Sequence, residues 1–341
     1  MSVAGRLSVI VPTLNERGTL PDLLDDLRAQ QDLDLECIVA DASSDDGTAE
    51  LARARGATVI DCGRGRGWQM NAGARTASGE WLLFLHADSR LDDPHLLRDA
   101  LTALQSEPGG EAIVAGHFRL RFARSGPGHE RFFRFLEAKS ASNRRHTING
   151  DQGLLIARRH FERLGGYDES LPIFEDQRIA ARIFACGRWV LLPGTLTTSA
   201  RRFEAEGHAA RYALMAIMMG AHAAGLDEFL RAAPRLYVPQ GEARALQLAV
   251  FRRALRELLA QRSLRETLDA VWQCGRLARD NAWQLALLLD LRHGARGCDG
   301  PALHLFDRRI APLLDNPLAD GLAAVLAAFW FFAWLPLQRG L

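Results

Sequence analysis

Two rhythms of apolar residues alternate through the first part of the chain. Short apolar runs at 6–12 (RLSVIVP), 35–40 (LECIVA), 57–62 (ATVIDC) and 80–87 (EWLLFLHA) have the length and composition of buried strands. Between them the spacing is helical. Leu20, Leu23, Leu24 and Leu27 mark a helix over 19–30; 45–56 opens on acidic residues and stops at Gly56; 67–79 ends at Gly79. Strands and helices at this spacing predict an α/β fold, a mostly parallel sheet with helices on both faces. Ligands of such sheets bind beyond the carboxyl ends of the strands. Those ends carry Asn15-Glu16, Asp41, Arg64 with Arg66, and Asp88, so four strand ends place polar groups on one rim.

The pattern then changes. A longer strand is expected at 112–122, a basic helix at 128–146, and a strand, short helix and turn within 150–169. A helix with acidic residues in its first turn follows at 175–187, and a last strand begins at Arg188. After Glu204 only helical patterns remain, at 208–230, 241–261, 263–279 and 280–292, with a Gly/Pro-rich loop at 293–301. This predicts a catalytic domain over 1–205, a helical segment closing it over 206–240, and an α-helical C-terminal domain over 241–341.

Composition narrows the function classes. The 341 residues carry a net charge of +1, so no global field draws in nucleic acid. Lys139 is the single lysine, and arginine supplies the remaining positive charge. The five cysteines are scattered with no CxxC spacing, which indicates neither a zinc site nor a disulfide framework and fits a reducing, cytoplasmic compartment. The N-terminus runs directly into a strand without the pattern of a signal peptide.

Several polar residues can carry chemistry. Asp41, after a buried strand, can accept an N–H from a nucleotide base or support the turn before the next helix. In GRGRGWQMNAG (63–73) the third glycine of a dinucleotide fingerprint is missing, since Trp68 or Met70 stands in its place; Arg64 or Arg66 can reach a phosphate or base, or stay solvated. Asp88 can hold Mg2+ or Mn2+ against a diphosphate, with His86 either a second ligand or a partner that orients Asp88. Glu175 and Asp176 open a helix, where the dipole favours anions, and one of them can act as a general base.

Taken in order, SVIVPTLNE, VADASSDDGT, RGWQMNAGARTASGEWLLFLHADS and GGYDESLPIFED resemble the family 2 glycosyltransferases of the GT-A fold, over about residues 6 to 205. FLHAD, GDQG and SARRF resemble the branch associated with radical-SAM and selenoprotein neighbourhoods. The resemblance implies a nucleoside-diphosphate-sugar pocket lined by Pro12, Thr13, Asn15 and Glu16, with Asp41 at the base, Arg66 and Arg64 over the nucleotide, and Asn71 and Ala87 beside it. It implies Asp88 as the metal carboxylate of a D-x-D motif and Asp176 as catalytic base with Glu175 beside it. Asp151 and Gln152 would lie near the donor sugar or acceptor, and Arg201 and Arg202 near the leaving diphosphate. The implied cofactor is Mn2+ or Mg2+, and the implied reaction is a single inverting displacement onto an acceptor hydroxyl. His86 replaces the first Asp of D-x-D, Ala42 stands where a second Asp often follows Asp41, and no Q-x-x-R-W motif of processive synthases is present, which favours a single addition. A nucleotidyltransferase would want a Gly-rich basic loop after the first strand, which PTLNERGT lacks. A degenerate, membrane-associated scaffold is opposed by the retained Asp41, Asp88 and Asp176.

Three segments suit a membrane surface, and with it a lipid-linked acceptor and peripheral attachment at the inner face of the membrane. Residues 321–337 carry no charge, 212–226 are similarly apolar, and 119–145 interleave basic residues with Phe132, Phe133 and Phe135. For 321–337 a buried helix of the C-terminal bundle and a full membrane span are the competing expectations; for 119–145 it is a helix packing its phenylalanines on the sheet.

Overall fold

A computed structural model of the chain describes residues 5–108, 112–237 and 246–338. The chain divides into two compact units, Met1–Ser199 and Ala200–Leu341.

The first unit is built on β1 (Leu7–Thr13), α1 (Leu20–Arg28), β2 (Leu35–Asp41), α2 (Thr48–Ala54), β3 (Thr58–Asp61), α3 (Arg66–Thr76), β4 (Trp81–Phe84), α4 (Leu96–Gln105), β5 (Ile113–Ala123), α5 (Glu130–Ser140), β6 (Leu154–Ala157), α6 (Arg158–Arg163), α7 (Glu175–Cys186) and β7 (Gly187–Ser199). The sheet order is β3-β2-β1-β4-β6-β5-β7. Strands β1 to β4 pair in parallel, and β6 is antiparallel to both its neighbours, β4 and β5. The expected mostly parallel α/β sheet is therefore present, with one reversed strand.

Alternation along the central strands divides the core in two. Val9, Val11, Val39 and Leu83 face α1 and α4, meeting Leu20, Leu23, Leu27, Leu97 and Leu101. Ile10, Ile38, Leu82 and Phe84 face the other way, toward Met70 and Ala74 of α3 and Ile179 and Ile183 of α7. All seven residues of β1 are buried, as a strand covered on both faces requires.

Two expectations need correction here. The strand expected over 80–87 stops at Phe84. Leu85 still donates to Ile10 O, but His86 to Ser89 close a turn through the Ser89 N–H to His86 O bond. The basic segment at 119–145 is not a surface-seeking helix: Phe133 and Phe135 of α5 are buried, and Phe133 meets Phe122 of β5. Within this unit α4 lies outside the expected helices.

The second unit is helical: α8 (Arg201–Glu206), α9 (His208–Ala223), α10 (Asp227–Leu236), α11 (Leu248–Ala260), α12 (Leu264–Asp280), α13 (Trp283–Arg292), α14 (Pro301–Leu305), α15 (Ala311–Leu314) and α16 (Pro317–Phe329), which continues through a wide turn, Trp330–Trp334, into α17 (Leu335–Leu337). The expected boundary at 205 and the observed division differ by the short helix α8; the second expected boundary, at 240, and the first residues of the helix expected at 241–261 lie outside the described residues. Helix α9 packs on α10, α11 and α12 with Leu214, Ile217 and Met218 buried, so the apolar segment 212–226 is interior to this unit.

Candidate active site

Polar strand ends are costly unless each group is satisfied, and the rim at the carboxyl ends of β1, β2 and β4 shows how this chain meets that demand. Thr13 and Asp41 are partners in register at the last positions of β1 and β2. Thr13 Oγ1 donates to Asp41 Oδ1 at 2.7 Å, Ser44 Oγ to the same oxygen at 2.6 Å, and the Ser44 N–H to Oδ2 at 2.8 Å. Buried Asp41 thus supports the turn into α2 with both oxygens. A carboxylate has capacity for about four bonds, so acceptance from a base remains open to it. Asn15, in the left-handed region at φ 57°, receives the Asp45 N–H on Oδ1 and donates its own N–H to Ser44 Oγ. Glu16 donates its N–H to Thr48 Oγ1 and accepts from Thr19 Oγ1. Pro12 is buried within β1. Buried Gln69 of α3, unnoticed in the sequence, ties the rim together: its Nε2 donates to Thr13 O and Ala40 O, both at 2.8 Å. A glutamine on the sheet-facing side of a helix was the available signal.

The first turn of α3 brings the arginines to the carboxylates. Gly65 takes φ 135°, which favours glycine, and releases Arg66 at the head of the helix. Gly67 has no room for a side chain: a Cβ there would lie 2.8 Å from Asp168 O and 3.4 Å from Glu175 Cβ. That approach sets Arg66 in the field of Glu175, Asp151, Asp176 and Asp88. Desolvation opposes its charge, but these carboxylates outweigh it and raise the guanidinium pKa. Arg64 on the loop and Arg66 at the helix head both remain exposed to solvent.

Helix α7 presents the acidic pair. Phe174 takes φ 71° just before it, and Glu175 and Asp176 form its first turn. Asp176 Oδ2 accepts the Gly150 N–H at 2.8 Å and Oδ1 the Gln177 N–H at 2.7 Å. Gln177 Nε2 binds Ile148 O, fastening the same loop to the helix. Glu175 is buried, and among the described residues its Oε2 has no hydrogen-bond partner. Burial first, then the charge of Asp176, pushes its pKa up to about 7 against the pull of Arg66 and His86. His86 Nδ1 lies 2.7 Å from Asp151 Oδ1, so the carboxylate fixes the ring with its proton on Nδ1 and leaves Nε2 turned toward Gly150. His86, Glu175 and Asp176 share a cavity with Phe84, Tyr167 and Trp189.

The structure thus gathers Arg66, His86, Asp88, Asp151, Glu175 and Asp176 into one electrostatic cluster, with Ala87 buried in the turn between His86 and Asp88. Asn71 and Gln152 are both held by partners within the fold. The Asn71 amide binds the Tyr167 N–H, Tyr167 O and Glu169 Oε1, holding the turn before α7. Gln152 is fully buried, with its amide engaged by Asn149 N–H, Ser140 O and His117 Nδ1. Burial lowers the His117 pKa to about 4, so the imidazole is neutral and takes this bond. Arg201 and Arg202 are exposed at the start of α8 in the second unit. Among the described residues no three His, Cys, Asp or Glu side chains form a ready metal cage. The chain offers Asp88 with few companions, the donor set Mg2+ and Mn2+ accept when phosphate and water complete the shell.

Residues 8–164 match the family model described as Glycosyl transferase family 2. The 4,4'-diaponeurosporenoate glycosyltransferase of Staphylococcus haemolyticus is 38% identical over 116 residues, covering 34% of this chain and 29% of that protein. An uncharacterized glycosyltransferase of Haemophilus influenzae is 28% identical over 177 residues, covering 50% of this chain and 59% of that one. The chain spans less than two thirds of the length of either relative. A mannosyltransferase from Pyrobaculum calidifontis, solved in complex with GDP-Man and Mn2+, matches over 96% of this chain and 88% of its own, with a TM-score of 0.50 and 20% identity. That likeness is one of fold, and it agrees with the GT-A architecture expected from the sequence.

Proposed function

We propose that this chain, which carries a Glycosyl transferase family 2 domain over residues 8–164, transfers a sugar from a nucleoside-diphosphate donor to an acceptor hydroxyl in one inverting displacement. The observation that carries the reading is Asp176: two backbone N–H groups from different segments aim its carboxylate beside a buried, partly protonated Glu175. A base held in one orientation removes the acceptor proton as the oxygen attacks, and positioning contributes much of the rate. Glu175 keeps the negative charge around Asp176 low while it retains its proton. Arg66 offers positive charge to the departing diphosphate. The pocket at Thr13, Asn15 and Asp41 receives the nucleotide base. Asp88 would hold the divalent ion, Mn2+ or Mg2+, which offsets diphosphate charge when bound. The absence of a processive motif favours a single addition, and the exposed apolar helices of the second unit favour a lipid-linked acceptor.

The test is release of nucleoside diphosphate from UDP-, GDP- and dTDP-sugars by the full chain. Asp176→Asn is expected to reduce release by about 10²–10⁴-fold while nucleotide affinity stays within the error of calorimetry. Turnover in that variant close to the parent's removes Asp176 as the base. Release of pyrophosphate instead assigns the chain to nucleotidyl transfer.

A further inference from the structure

The second unit carries an apolar surface unlike that of a protein interior or an ordinary exterior. Pro317–Leu337 is one continuous helical run of 21 residues; its most apolar stretch has a mean hydropathy of 1.8, yet only 17% of that stretch is buried. A core helix would be mostly covered. Leu318 is 86% exposed and Leu322 64%, and Val325, Leu326, Phe329 and Phe332 extend the stripe. No charged side chain occurs between Asp320 and Gln338.

The stripe continues onto a neighbouring helix. α16 packs on α12 so closely that a Cβ at Gly275 would meet the Ala324 backbone at 2.6 Å. The Trp272 ring lies against Gly321, one turn from both Leu318 and Val325. Leu264 and Leu268, exposed at 76% and 58%, carry the surface onward from Trp272 along α12 at i, i+4, i+8 spacing. The patch therefore crosses two packed helices.

We infer that this face lies in the plane of a lipid bilayer, sunk to the headgroup–acyl boundary. At about 31 Å the run is long enough to span the roughly 30 Å hydrocarbon core. A span would also carry α12 inward, with exposed Arg265, Glu266, Asp269 and Arg276, and those charges are expensive there. Lying in plane leaves them in water and buries only the leucine, valine and aromatic stripe. A second copy of the chain is the other candidate occupant. Protein interfaces carry roughly one hydrogen bond per 100–200 Å², and from Gly321 to Leu337 the only polar side-chain groups are the indole N–H donors of Trp330 and Trp334, with no acceptor among them. An acyl layer asks for none. Trp330 and Trp334, toward the end of the run, have the amphipathic rings that settle at a membrane boundary.

This surface is independent of the donor site, and its test does not use activity. The full chain is floated with vesicles of phosphatidylcholine and phosphatidylglycerol, beside the double variant Leu322→Glu/Leu326→Glu. Both positions are exposed, so packing is preserved, and circular dichroism checks that helix content matches the parent. The parent is expected to float with the vesicles and the variant to float about tenfold less. A parent that stays with the soluble fraction overturns the inference, as does a variant that floats equally well. A parent that fails to float but dimerises, with the dimer lost in the variant, assigns the face to a second copy.

Discussion

The Gly150 N–H donates to Asp176 Oδ2 at 2.8 Å, while the position of a Gly150 side chain lies 2.7 Å from His86 Nε2. One residue therefore orients the carboxylate through its backbone and admits the imidazole through its missing Cβ. Gly150→Ala is expected to push His86 or the 148–152 loop aside and spoil the aim of Asp176. A misplacement near 1 Å costs about 10²-fold in rate. Turnover should fall by roughly that factor with a melting temperature close to the parent's. Unchanged turnover would mean that Asp176 tolerates a different seat.

Glu175 gives the fold a pH signature. Its folded pKa, about 7, stands above the usual carboxylate value of 4.5 because burial and Asp176 disfavour its charge. Between those values the folded chain binds more protons than the unfolded one, so stability falls as pH rises through this window. The favourable contribution is complete below about 4.5 and lost above about 7. Glu175→Gln removes the titration. Thermal melts from acidic to mildly alkaline pH should show the parent losing on the order of 1–3 kcal/mol more than the variant across that window. Parallel curves would show that Glu175 titrates normally.

The sheet was legible in the sequence because strands covered on both faces are apolar throughout and the intervening helices have their own period. Helix α4 carries the same helical period in Leu96, Leu97, Ala100, Leu101 and Leu104. The acidic head of α7 and the rim residues Asp41 and Asp88 were legible as positions. Their partners were not. His86 meets Asp151 across 65 residues of chain, and Asn71 meets Tyr167 across 96. Such pairings depend on how α3, the 148–152 loop and α7 converge, which no local pattern encodes. Gly67 and Gly150 were invisible for the same reason: their value lies in what approaches them.

Asn71 distinguishes a structural role from a contact with the donor. Asn71→Ala leaves the buried N–H and C=O of Tyr167 without partners, at a cost of about 2–4 kcal/mol, or roughly 5–10 °C in melting temperature. Donor affinity of the protein that remains folded is expected to change little. A stable variant with a raised KM would instead place Asn71 against the donor.

Asp88 and His86 separate in a metal titration. Asp88 lies on the turn after β4, in the same field of charge as Arg66, and would contribute a hard oxygen ligand. His86 has Nδ1 committed to Asp151 and Nε2 turned to Gly150, the arrangement of a residue that holds the loop in register with α7. Asp88→Ala is therefore expected to abolish the gain in donor affinity that Mn2+ brings, while the metal-free affinity contributed by the Thr13–Asp41 pocket persists. His86→Gln should weaken the Mn2+-dependent gain less than Asp88→Ala and reduce turnover more than affinity, because it acts through Asp151 and the loop that aims Asp176. Calorimetric titration of nucleoside diphosphate with and without Mn2+ reads both variants. If His86→Gln erases the metal-dependent gain as completely as Asp88→Ala, His86 is a ligand. If neither variant alters it, the ion is held elsewhere.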